Sequence, residues 1–133
     1  MSEQIDESVD VLRGDQAEAL LRRLSTWGNT TTIIIHGGCV FEFKGAFPEG
    51  TIGEGFYNLD GPVPGFHGHI RLDVIDHICF QNKQHRGRQS YAFNFQDKDK
   101  NNIFKVFLGR DNQGELLEEQ VESFKRIQRT LEV

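Results

Sequence analysis

Residues 30–44 read TTTIIIHGGCVFEFK, and the fold class follows from this stretch. Thr30 to Ile35 is an unbroken run of β-branched residues, the composition of a strand buried on both faces. His36-Gly37-Gly38 is a tight turn. Cys39 to Lys44 then alternates, with Cys39, Phe41 and Phe43 on one face and Val40, Glu42 and Lys44 on the other. Two strands joined by a glycine turn make an antiparallel hairpin.

The chain on either side extends this pattern. Towards the N-terminus, Ala17, Leu20, Leu21 and Leu24 have helical spacing, with Asp15 as the N-cap and Gly28 as the stop. Residues 1–14 are acidic and aperiodic and read as a flexible tail. Towards the C-terminus, Gly45 to Gly55 reads as a loop. Strand patterns follow at Phe56–Leu59, Phe66–Leu72, Val74–Gln81, Ser90–Phe95 and Ile103–Leu108. Asn112 and Glu115 have capping-box spacing. Leu116, Leu117, Val121, Phe124, Ile127 and Leu131 then form one apolar helical stripe. The expectation is an α+β fold: a large antiparallel sheet with helices at the N- and C-terminal ends, in one domain over residues 15–133.

Composition narrows the function. The chain has 133 residues and a net charge of −5, so a basic face that neutralises phosphates is not its main device, and nucleic acid is not the expected partner. No apolar run is long enough to span a bilayer. The N-terminal MSEQIDESVD lacks the basic and apolar regions of a secretory signal, which points to the cytoplasm. Cys39 and Cys79 sit in strand-like runs and read as small core side chains. Phenylalanine occurs 11 times against one Trp and two Tyr. Side chains without a hydrogen-bonding handle in that number fill a core or line an apolar pocket.

The densest chemistry is PGFHGHIRLD, residues 64–73. On a strand, His67, His69, Arg71 and Asp73 share one face and Phe66, Ile70 and Leu72 the other. Three readings stand together. The polar face is simply solvated; or His67 and His69 bind a non-haem metal; or one imidazole ligates haem iron while Arg71 or Lys83 pairs with a propionate. Gly61 and His67-x-His69 match the opening of a cupin metal motif, but Asp73 stands where that motif has Glu and its second half is missing. His36, at the end of the first strand, is a possible second ligand or a turn residue. His77 reads as a satisfied core histidine and His85 as solvated. GxSxG, Walker A, HExxH and CxxC patterns are all missing, so no catalytic residues are assigned.

Five segments occur in one order: WGN (27–29), FPEG (47–50), GFYNLDG (55–61), GFHGHIRLD (65–73) and IFKVFLGRD (103–111). Together they resemble the intracellular haem-utilisation carriers, the ChuX/HutX-like proteins. The resemblance implies a cytosolic protein that binds haem (iron protoporphyrin IX) and passes it to a downstream haem-using or haem-degrading partner. It also implies a fold like one half of the duplicated haem-utilisation proteins, and pairing of two chains as a homodimer. The family's haem-binding His in the GHI segment falls on His69. Its other His falls at or beside His36, one residue out of register. Haem degradation with iron release is the alternative activity that the same resemblance offers.

Overall fold

The computed structural model describes residues 10–133, apart from the side chain of His85. The hairpin forms as its sequence dictates. Strand β2 (Asn29–His36) pairs antiparallel with β3 (Cys39–Ala46), placing His36 opposite Cys39 and Thr32 opposite Phe43. Gly37 and Gly38 turn the chain with φ of 59° and 84°, left-handed values that a Cβ would penalise.

Among the described residues seven further strands complete two sheets. Strands β1 (Val11–Arg13), β7 (His77–His85), β8 (Arg88–Gln96) and β9 (Asn102–Leu108) join the hairpin in a six-stranded sheet, in the order β1-β7-β8-β9-β2-β3. Strands β4 (Gly50–Gly53), β5 (Phe56–Leu59) and β6 (Gly68–Ile70) form a second, three-stranded sheet. Every strand pairing among the described residues is antiparallel. Helix α1 (Ala17–Leu24) precedes the hairpin and α2 (Glu118–Thr130) closes the chain.

One face of the large sheet carries the core. Leu12, Ile78, Tyr91, Phe93, Phe95, Phe104, Val106 and Leu108 are buried, with Leu20, Leu21 and Leu24 of α1 and Phe124 and Ile127 of α2 in the same apolar cluster. The Phe124 ring packs 4.9 Å from Phe93 and 5.4 Å from Phe80, centroid to centroid, so the phenylalanine excess is largely core. Gln120 ties α2 to the sheet. Its Oε1 accepts from Gly109 N at 2.8 Å, and its Nε2 donates to Trp27 O at 3.0 Å and Asn29 O at 2.8 Å.

Several expectations need correction. Val11–Arg13 lies within the stretch read as a tail, yet it is a strand on β7 with Leu12 wholly buried; residues 1–9 of that stretch lie outside the described residues. Asp15 does not cap α1; it sits in a 3-10 turn and pairs with Arg13. The capping box at Asn112 and Glu115 does not form either. Asp111 accepts from the backbone N–H groups of Gln113 and Glu115, and the helix starts later, at Glu118. The β-branched strand is not buried on both faces: Ile34 is 37% and Ile35 53% exposed. Strand β3 is a sheet edge, and the core layer stops short of the hairpin's far half. For the same reason Cys39 is exposed rather than a core side chain, while Cys79 is half-buried.

Candidate functional site

His69 lies in the middle of β6, opposite Asn58 of β5. Facing residues on paired strands project to the same side of the sheet. The His69 Nδ1 and Asn58 Oδ1 are 2.7 Å apart. The Asn58 amide is held by two further bonds, Nδ2 donating to Thr51 O and Gly53 O, both at 3.2 Å. Those bonds fix which end of the amide is nitrogen. Its oxygen can only accept, so the proton of a neutral His69 sits on Nδ1. Nε2 then carries a free lone pair on an exposed ring, the arrangement by which a metal-ligating imidazole is oriented from behind. Phe56 holds the ring from the side, edge to face, at 5.7 Å between centroids.

Next to β6 the two sheets touch through aromatics. Phe66, buried, stacks on Phe43 of the hairpin at 4.7 Å and meets Phe47 edge-on at 5.6 Å. From that stack an apolar strip runs out along the hairpin on its core-side face. It passes Thr32 and Phe43, then Ile34 and Phe41, and ends at His36 and Cys39. Phe41 is 57% and Phe43 38% exposed. Exposed aromatic surface in one contiguous strip, edged by imidazole, is what an apolar ligand with a metal centre would need.

Residues 10–127 match the family model for haem utilisation ChuX/HutX. The chain belongs to the ChuX/HutX haem utilisation family. It is 42% identical over 123 residues to the intracellular heme transport protein HutX of Vibrio cholerae serotype O1, a match that covers 92% of this chain and 64% of that protein. The chain thus spans less than two thirds of that relative's length. It superposes on the structure of the heme binding protein ChuX with a TM-score of 0.83 at 31% identity, over 92% of this chain and 76% of that one. The heme degrading enzyme ChuS of Escherichia coli O157:H7 shares the fold, with a TM-score of 0.74 at 15% identity. That match covers 95% of this chain but 39% of ChuS. The α+β fold is therefore that of one half of the duplicated proteins.

In this member of the ChuX/HutX family the residues singled out from sequence do not gather in one place. Among the described residues no hydrogen bond, ion pair or ring contact joins His36, His67 and His69. His67 is exposed and precedes β6. Arg71 is separated from His69 because the strand ends at Ile70 and a 3-10 turn, Leu72–Val74, follows. Arg71 pairs with Asp73 at 3.0 Å and lines a separate cleft of about 1000 Å³ with Asp15, Asp76, Asp97 and Asp99. Lys83 is on the far face of the large sheet from His36. It lines an open cavity of about 890 Å³ with Arg86, Arg88, Lys105 and Arg110 above Ile33, Ile35 and Phe107. Burial there, helped by the Lys83 charge, holds the Lys105 ammonium below the usual lysine range. Within one chain neither cation reaches the imidazoles. No group of three or more His, Cys, Asp or Glu converges as a metal centre among the described residues. His77 is half-buried and satisfied, bonded to Asp76 and Gln96.

Asn58 is the residue that sequence reasoning missed. Asn58 stands in the GFYNLDG segment, but only strand pairing sets it against His69.

Proposed function

We propose that this chain binds haem inside the cell and carries it to a protein that uses or degrades it. The observation that carries the proposal is the His69 imidazole, held through Nδ1 by a fixed Asn58 amide with Nε2 free and exposed. The strip of Ile34, Phe41 and Phe43 supplies apolar surface for a porphyrin. His69 is the axial donor to iron, with Asn58 as its orienting partner. The site is open, as a carrier that must release its cargo requires. The relatives named for heme transport and heme binding support this reading.

Two chains pair in this reading. Strand β3 is a free edge exposed along nearly its whole length, and Ile35 and Val40 are exposed on the face opposite Phe41. An unpaired, apolar edge favours association with a second copy. Among the described residues no helix is long and apolar enough to cross a membrane.

The test is a haemin titration of the apo-protein followed by absorption. Wild type gives a saturable Soret shift near one haem per chain, and His69→Ala weakens it at least tenfold. Unchanged affinity in that variant refutes His69 as the donor. A Soret band that decays in air with ascorbate replaces carriage by haem degradation.

A further inference from the structure

The far face of the large sheet carries cations that the haem reading does not use. Lys44, Lys83, Arg86, Arg88, Lys105 and Arg110 line the open cavity of about 890 Å³ there, and none of them forms an ion pair among the described residues. Two of them are held side by side. Arg88 Nη2 and Arg110 Nη1 both donate to the Gly114 carbonyl, and Arg110 Nη2 also donates to Gln89 O at 2.6 Å. A carbonyl oxygen is a neutral dipole, so two guanidiniums stand together with no anion between them, and most of their N–H donors stay unspent. Lys83 pairs with Ser90, two residues along β8 from Arg88. The acids nearby do not neutralise this group: Asp111 spends Oδ1 on the backbone N–H groups of Gln113 and Glu115, and Glu42 lies on the edge strand β3. The lowered pKa of Lys105 is the response of an ammonium placed near a like charge and partly out of water. Between these cations the floor is apolar. Lys105 and Phe107 share the far face of β9, opposite Ile33 and Thr31 of β2, and Phe107 and Ile33 are half-buried.

We infer that this cavity binds a phosphate monoester of a flat ring system, a mononucleotide-like ligand. Its phosphate lies between Arg88 and Arg110 with Lys83 beside them, and its ring lies on Phe107 and Ile33. The charge count selects phosphate over a single carboxylate. Two guanidinium forks and an ammonium surround the anion, and a phosphate monoester offers them about two negative charges and three acceptor oxygens. A carboxylate offers one charge and two oxygens, which leaves the cations in excess. The ring follows from the floor, since an inorganic anion would leave Phe107 and Ile33 in water. The site is on a different sheet from His69, uses no metal and does not depend on the haem reading.

Flavin mononucleotide is the probe, because its fluorescence reports binding and riboflavin is the same ring without the phosphate. Titrated into the apo-protein at low salt, it should bind saturably near one per chain. Riboflavin and inorganic phosphate should each bind at least tenfold more weakly, and added salt should weaken the complex. Arg88→Gln and Lys83→Gln, both at exposed positions, should each weaken it at least severalfold with the circular dichroism unchanged. His69→Ala should bind it like wild type. No saturable uptake of flavin mononucleotide, or riboflavin bound as tightly, overturns the phosphate site. Inorganic phosphate bound as tightly overturns the part given to the ring. Iron-free protoporphyrin IX, a dicarboxylate, that displaces the probe from His69→Ala at equal or lower concentration makes the cavity a carboxylate seat and overturns the inference. A haemin titration keeps the two readings apart, since Arg88→Gln should take up haemin like wild type. Equal losses of haemin and flavin mononucleotide in that variant merge the cavity with the haem site and overturn a separate one. Wild type that binds flavin mononucleotide but no haemin overturns the carrier reading and upholds this one.

Discussion

Gln120→Met removes the clamp between α2 and the sheet while nearly preserving volume. Gln120 is 4% exposed and makes three hydrogen bonds, to Gly109 N, Trp27 O and Asn29 O. Methionine leaves all three backbone groups without that partner. Each net hydrogen bond is worth about 1 kcal/mol, and a buried group left unsatisfied costs about 1–3 kcal/mol, so the loss is about 3–5 kcal/mol once partial relaxation is allowed. Water has little room to substitute. A Cβ on Gly109 would lie 2.0 Å from Asn29 O, a measure of how closely the two backbones approach. Against a typical domain stability of about 5–15 kcal/mol this is a large fraction. Urea unfolding, followed by circular dichroism and by fluorescence of Trp27, reads it as a midpoint lower by about 2 M at an ordinary slope. Gln120→Glu adds a signed control. Its carboxylate keeps an acceptor for Gly109 N but faces two carbonyl oxygens, so the folded state raises its pKa. A raised acid contributes stability below its unfolded pKa and loses it as pH rises, so this variant is closest to wild type in acid. A loss below about 1 kcal/mol for Gln120→Met, or a Gln120→Glu variant insensitive to pH, refutes the clamp.

Three further outcomes follow from single groups. Tyr57 is fully buried and its hydroxyl lacks a partner among the described residues; burial raises its pKa, opposed by Arg22. Tyr57→Phe should therefore be neutral or stabilising by up to about 1 kcal/mol, and a fall in Tm beyond about 4 degrees, about 1 kcal/mol by the usual scaling, contradicts that. Lys105 has a lowered pKa from burial and then Lys83, so its protonated form costs stability below that pKa, and the cost fades as pH rises through it. Lys105→Met should gain about 0.5 kcal/mol at neutral pH, a screened figure for a half-exposed group, and the gain should shrink in alkaline urea titrations. A gain that grows with pH reverses the sign and sinks the argument. Asn58→Leu deprives His69 of its orienting acceptor and should weaken haem binding about 10-fold in the haemin titration while leaving the His69 ligation spectrum recognisable. Wild-type affinity in Asn58→Leu removes Asn58 from the site.

Local signals determined what depends on neighbours in the chain. The two glycines after His36 forced a turn because L-residues with a Cβ avoid left-handed angles, and the alternation of Cys39, Phe41 and Phe43 put them on one face as the register confirms. The stripe of Leu20, Leu21 and Leu24, and that of Phe124 and Ile127, marked helical faces because only a core rewards such spacing. The ordered segments from Trp27 to Asp111 were enough to reach the family. Exposure was a different matter. Burial of Ile34, Ile35 and Cys39 depends on whether another layer covers the hairpin, and none of those residues encodes where the core layer ends. Strand parity grouped His69 with Arg71, but parity holds only while the strand lasts, and β6 stops at Ile70. Lys83 and His36 carry complementary chemistry for haem, yet pairing through β8 and β9 puts them on opposite sides of one sheet. The bond that orients His69 spans 11 residues and two strands. Such a contact exists only after β5 and β6 pair, so residue chemistry was legible in the sequence, and which chemistries meet was decided by the tertiary structure.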